Sequence, residues 1–216
     1  MSSRSLANRI WYRLLQLICR LIAVLVFRFR VGGRHHLPES GGVLLLCNHQ
    51  SHLDPVLVGI GCNRRLNYLA RETLFNFPQL GWLIRSLDAI PIDRDGLGMS
   101  GLKETLRRLK RGEIVLVFPE GTRSGDGQLK PLRPGFSAIA QRAGAFLVPV
   151  AIDGAYDAWP RQRKFPRSAV IRVEFGLPLA PAEAKSMSDR ELVELIHGRI
   201  AECLTRARAN RERHGP

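Results

Sequence analysis

Two short polar stretches, each directly behind an apolar run, hold the residue types that could do chemistry. The first is Asn48-His49-Gln50-Ser51-His52-Leu53-Asp54, which follows Val43-Leu44-Leu45-Leu46-Cys47. His49 and Asp54 are close enough in sequence for the loop to fold the carboxylate onto the imidazole. A carboxylate on one ring nitrogen fixes the tautomer and leaves the other nitrogen as a base. Two other readings stand beside this one. His49 and Asp54 could satisfy backbone groups and cap the next helix, or His49, His52 and Asp54 could hold a metal, although no fourth ligand is evident nearby. Cys47 also invites a Cys-His nucleophile, but it reads as a small apolar residue of a buried strand. With no protein nucleophile supplied, the attacking group is expected to be a substrate hydroxyl, which His49 deprotonates as it attacks an activated acyl carbon.

The second stretch is Phe118-Pro119-Glu120-Gly121-Thr122-Arg123-Ser124. Gly121 lets backbone approach a ligand, Thr122 and Ser124 bring hydroxyls, and the planar fork of Arg123 suits phosphate. Glu120 could orient Arg123 or bind a substrate hydroxyl. The alternative is a strand-end turn with an exposed arginine.

The elements that must position these loops follow from the pattern. Residues 28–31 alternate and read as a half-exposed strand, while residues 43–47, 66–70, 89–92, 113–118, 148–152 and 170–175 read as further strands. Helices are expected from Asp54-Pro55, with Asp as N-cap, to about Gly61, and over 74–87, where Pro78 breaks the run. Others are expected over 98–111, 134–143 and from Asp189 to about Arg208. Short apolar strands alternating with helices indicate a single α/β domain around a mostly parallel or mixed central sheet flanked by helices. In such sheets the working loops leave the carboxyl ends of strands.

Charge narrows the partner. The chain has 216 residues, and 33 Lys and Arg against 19 Asp and Glu give a formal charge of +14, a field that favours an anionic partner. Before Pro38 there is no acidic residue, and Arg9, Arg13, Gln16 and Arg20 share one helical face. The rest of that helix is Leu, Ile and Trp11. No signal-peptide cleavage site follows, and Arg20 interrupts an apolar run shorter than the roughly 20 residues of a membrane span. An amphipathic helix lying on an anionic membrane surface fits, with arginines at headgroups and Trp11 in the acyl boundary. The alternative is a helix packed on its own domain. Four cysteines without regular spacing speak for a reducing compartment.

Together the two loops resemble the motifs of the glycerolipid acyltransferases, the 1-acylglycerol-3-phosphate acyltransferases and their relatives. The family's His-x-x-x-x-Asp motif is matched by His49 to Asp54, and its Glu-Gly-Thr-Arg motif by Glu120 to Arg123. Ile90-Pro91-Ile92-Asp93-Arg94 resembles its intermediate block, and Leu147-Val148-Pro149-Val150 its fourth. Asp88-Ala89 replaces a frequent Gly-Ala, and Arg71 stands where Lys is common.

The resemblance implies that His49 is the general base and Asp54 its partner. Glu120, Gly121, Thr122 and Arg123 would bind the acceptor's glycerol phosphate, with Arg94 adding a charge. It also implies transfer of a fatty acyl group from acyl-CoA or acyl carrier protein to the sn-2 hydroxyl of lysophosphatidic acid, without metal or other cofactor. Alternatives are another lysophospholipid or lyso-aminolipid acceptor, or a non-catalytic relative that binds anionic lipid. Nucleic acid, the other anionic partner, would leave both loops unexplained. The expected organisation is a membrane-association segment over 1–27, an acyltransferase core over 28–182 and a C-terminal helix with a basic tail over 183–216. The expected location is peripheral or monotopic on the cytoplasmic face of a membrane.

Overall fold

Five consecutive apolar residues, Val43–Cys47, are all buried because the strand they form is covered on both faces. The computed structural model describes residues 5–92 and 98–213. Its strands are β1 (Arg30–Gly32), β2 (Val43–Cys47), β3 (Leu66–Arg71), β4 (Ile90–Ile92), β5 (Ile114–Val117), β6 (Phe146–Asp153) and β7 (Arg172–Phe175). They form one sheet of seven strands in the order β1-β7-β6-β2-β5-β3-β4, which puts β2 at its centre. Neighbours run parallel except β6 and β7, so the sheet is mixed.

The helices are α1 (Leu6–Phe27), α2 (Asp54–Gly61), α3 (Pro78–Ser86), α4 (Gly98–Lys110), α5 (Gly135–Ala143), α6 (Ala155–Ala158), α7 (Pro181–Ser186) and α8 (Asp189–Arg213). Alternation along β2 divides the core into two layers. Val43, Leu45 and Cys47 join Phe27 of α1 with Leu57, Val58 and Ile60 of α2. Leu44 and Leu46 face Leu109 of α4, Phe136 and Ile139 of α5, and Leu192, Ile196 and Ile200 of α8.

Three local expectations change. Pro78 opens α3 instead of breaking a helix, because a first-turn position needs no N–H donor. Asp54 does not cap α2. It is the first helical residue, and its carboxylate turns back on the preceding loop. The C-terminal helix runs on to Arg213, since its buried stripe continues through Cys203, Leu204 and Ala207.

The N-terminal helix departs most from the amphipathic reading. It spans 22 residues and is long and apolar enough to cross a membrane by length and composition. Part of its polar stripe faces the protein, not headgroups. The Gln16 amide donates to the carbonyls of Gly59 (2.8 Å) and Cys62 (3.1 Å), and Arg34 Nε donates to that of Gly61 (2.8 Å). α2 ends without a left-handed cap, so its last carbonyls need outside donors. Gln16 and Arg34 are those donors.

Tyr12 and Ala23 are buried along the same docked face, whereas Leu6, Ile10, Leu14, Leu17, Leu21 and Leu25 stay exposed. Trp11 sits edge-on to the exposed Trp82 of α3, with ring centroids 5.6 Å apart. Replacing Gln16 with leucine leaves two carbonyls without their donor, at a cost of about 1–3 kcal/mol. The expected outcome is a lowered midpoint of thermal unfolding, and an unchanged midpoint would refute the capping role.

Candidate active site

β2 and β5 are adjacent and parallel, with Leu46 opposite Val117. His49 and Glu120 each stand three residues beyond that pair, so the two motif loops leave the sheet side by side. The backbone of His49 is held from the second loop on both sides. Its N–H donates to Glu120 Oε1 (2.8 Å), and its carbonyl accepts from the Ser124 N–H (2.7 Å). On the other flank the buried Asn48 amide donates to the Ile152 carbonyl (2.9 Å) and accepts its N–H (2.8 Å), extending the ladder between β2 and β6 through a side chain.

The side chain of His49 is fixed as firmly. Its Nδ1 lies 2.7 Å from Asp54 Oδ2, and that oxygen also accepts the N–H groups of Gln50 (2.6 Å) and Ser51 (2.7 Å). An oxygen already taking two backbone donors acts as an acceptor toward Nδ1 as well, so the proton sits on Nδ1 and the lone pair on Nε2. The Phe118 ring stacks on the imidazole at 3.9 Å with 14° between planes, which fixes the ring's orientation. Asp54 is wholly buried, while His49 keeps 19% of its side chain open to solvent. The arrangement is a base with one nitrogen available.

Neighbouring nucleophiles are occupied. Ser51 Oγ donates to the Trp159 carbonyl (2.7 Å) and Ser124 Oγ to Asp126 Oδ1 (2.7 Å). Burial pushes the Cys47 thiol well above its ordinary value, and its side chain belongs to the core. His52 turns to the Trp159 ring, 5.1 Å away, and among the described residues no His, Cys, Asp or Glu group has the arrangement to hold a metal.

The second loop supplies positive charge. Gly121 adopts φ +73°, a left-handed conformation that favours glycine. Arg123 is half-buried, and its Nη1 is buried without a hydrogen-bond partner. Burial lowers the Arg123 pKa and the charges of Arg161 and Arg71 lower it further, while the Asp54 carboxylate acts the other way. Two further arginines beside the unpartnered donor of Arg123 make a place for an anion. Thr122 stands half-buried in the turn. Arg94, the other expected contact, lies outside the described residues, as does Asp93. No separate role for Asn48 or Phe118 follows from sequence alone. An asparagine at the end of an apolar strand, where a buried amide must be satisfied, was the available signal for Asn48.

Glu120 does not orient Arg123. It is buried between the N–H groups of His49 and Lys130 (3.3 Å). Burial pushes its carboxyl from 4.5 up to about 7, against the pull of those two donors. A carboxyl raised on folding binds its proton more tightly in the native state, so its contribution to stability is lost as pH rises. Between pH 4.5 and about 7 the wild type should lose thermal stability that Glu120→Gln does not lose. Parallel melting profiles of the two proteins across that window would contradict this.

Comparisons with known proteins identify the family. The family model described as Acyltransferase matches residues 28–153. A 1-acyl-sn-glycerol-3-phosphate acyltransferase of Bacillus subtilis is 30% identical over 178 residues, covering 80% of this chain and 86% of the relative. The chloroplastic 1-acyl-sn-glycerol-3-phosphate acyltransferase LPAT1 of Arabidopsis thaliana is 28% identical over 137 residues, 62% of this chain but 38% of that longer protein. The crystal structure of the 1-acyl-sn-glycerophosphate acyltransferase PlsC from Thermotoga maritima superimposes with a TM-score of 0.79 at 24% identity, over 95% of this chain and 84% of that one. The chain belongs to the Acyltransferase family.

Proposed function

We propose that this protein transfers a fatty acyl group from a thioester donor, acyl-CoA or acyl carrier protein, to the sn-2 hydroxyl of lysophosphatidic acid, giving phosphatidic acid. The observation that carries the reading is the His49–Asp54 pair at 2.7 Å beside the unpartnered guanidinium nitrogen of Arg123. A base and an anion site stand together, as an acceptor bearing both a hydroxyl and a phosphate requires. The relatives named as 1-acyl-sn-glycerol-3-phosphate acyltransferases supply the choice of acceptor.

In this mechanism Arg123, with Arg71 and Arg161, holds the acceptor's phosphate, and Gly121 and Thr122 shape the turn around it. His49 Nε2 takes the proton of the acceptor hydroxyl as its oxygen attacks the thioester carbonyl. The C–S bond breaks, and the departing thiolate takes the proton back from His49. Asp54 positions the imidazole and stabilises its positive charge in the transition state. The step needs only the two substrates and the protein's side chains.

The same reading puts the protein on a lipid surface at the cytoplasmic face. The exposed apolar residues of α1 support this, with Trp11 and Trp82 beside them, and so do four free cysteines. The ties of α1 to the domain at Asn8, Gln16 and Phe27 support a monotopic element lying in the interface.

The test follows free thiol release and product mass with acyl-CoA and a panel of lysophospholipids. Release that requires lysophosphatidic acid is the expected result, and release with a different lysolipid would change the acceptor. His49→Ala should lower turnover by about 10²–10⁴-fold with the fold intact. Near wild-type turnover would refute the mechanism. Arg123→Ala should raise the KM for the phosphate-bearing acceptor by roughly 10–100-fold, and an unchanged KM would exclude it from phosphate binding.

A further inference from the structure

An open cleft of about 680 Å³ lies in the segment that follows β6. Its walls include Tyr156, Asp157, Gln162, Arg163, Lys164 and Arg167. Both motif loops are tied to these walls. Ser51 Oγ bonds the Trp159 carbonyl, and the Tyr156 N–H bonds Gln50 Oε1 (3.4 Å). The Tyr156 hydroxyl (2.6 Å) and the Gln162 amide (3.4 Å) both donate to the Gly125 carbonyl, two residues beyond Arg123. The cleft is therefore tied by Tyr156 and Gln162 to residues adjoining His49 and near Arg123.

Its charge is positive and organised. Arg163 Nη1 (3.4 Å) and Arg167 Nε (2.7 Å) donate to the Asp157 carbonyl, which holds both guanidinium groups at the wall with further N–H donors to spare. The Asp157 carboxylate is neutralised by Arg211 at 2.5 Å. Trp159 Nε1 donates to the Arg163 carbonyl (3.0 Å) and shapes the loop. Next to the lining, Phe165 is 69% exposed, with Lys164 Nζ 5.6 Å from its ring.

We propose that this cleft holds the phosphorylated adenosine end of a coenzyme A thioester. The inference rests on the acyl-transfer reading and assigns the donor's place in it. Phosphate beside phosphate is repulsive, so the donor's phosphates belong away from the anion site at Arg71, Arg123 and Arg161. The donor's phosphates need a second set of cations within reach of the base, and Arg163, Lys164 and Arg167 are that set. The extended pantetheine arm then carries the thioester past Trp159 to His49. A concave site beside an exposed ring suits a purine with phosphates. An acidic carrier protein, presenting a broad folded surface, would not enter it.

The experiment measures binding of free coenzyme A and of its 3′-dephospho form to the full chain, and in parallel the KM for acyl-CoA and acyl-pantetheine. In Lys164→Gln and in Arg163→Gln/Lys164→Gln, coenzyme A should bind about tenfold more weakly per charge removed. The KM for acyl-CoA should rise while that for acyl-pantetheine, which lacks the nucleotide, does not. Coenzyme A bound equally by variant and wild type would overturn the assignment. So would an equal loss with acyl-pantetheine, or a loss confined to acyl carrier protein. If these variants bind coenzyme A normally while His49-dependent acylation persists, the cleft assignment falls and the acyl-transfer reading stands. If coenzyme A binding is lost but no acceptor is acylated, the reverse holds.

Discussion

Asp54 Oδ2 is the atom around which the site is built. It receives three N–H groups, from the His49 ring and from the backbone of Gln50 and Ser51. Each donor constrains a different object: the imidazole, the loop between strand and helix, and the start of α2. At Oδ2 these donors replace the water that the buried carboxylate gave up, while Oδ1 has no partner among the described residues. The same oxygen therefore shapes the loop and assigns the proton on the base. A polar group needed for folding has become the orienting group of the chemistry.

Arginine has two uses in this strongly basic chain. Some guanidinium groups serve as internal donors to carbonyls that lack partners, as Arg34 does at Gly61 and Arg64 at Pro38, Gly41 and Gly112. Others gather close to one another, as Arg71 and Arg161 do around Arg123, whose Nη1 is buried without a hydrogen-bond partner. The second kind speaks for anionic ligands, because like charges held together weaken the fold unless something binds there. Net charge alone does not separate the two uses.

Much of this was legible in sequence where local rules act alone. Apolar runs ending in Gly- or Asp-containing turns located the strands, and the spacing of His49 and Asp54 anticipated their contact. Sequence could not tell that Glu120 binds the backbone of His49, since that depends on β2 and β5 being adjacent although two strands lie between them in the chain. Nor could it tell that Gln16 faces inward. A glutamine within an arginine stripe reads as solvent-facing until the uncapped end of α2 is set beneath it. Arg71 and Arg161 join Arg123 only through the return of distant loops to one edge of the sheet.

The short helix α2 has one consequence for how the protein works at a surface. Its first residue is Asp54, and its last carbonyls are held by Gln16 of the apolar helix. Eight helical residues, a rigid rod of about 12 Å, are all that separate the two. The base is thus coupled to the N-terminal helix as one end of a lever is to the other. A tilt of α1 against the domain is passed by α2 toward the His49–Asp54 pair, where a flexible linker would absorb it.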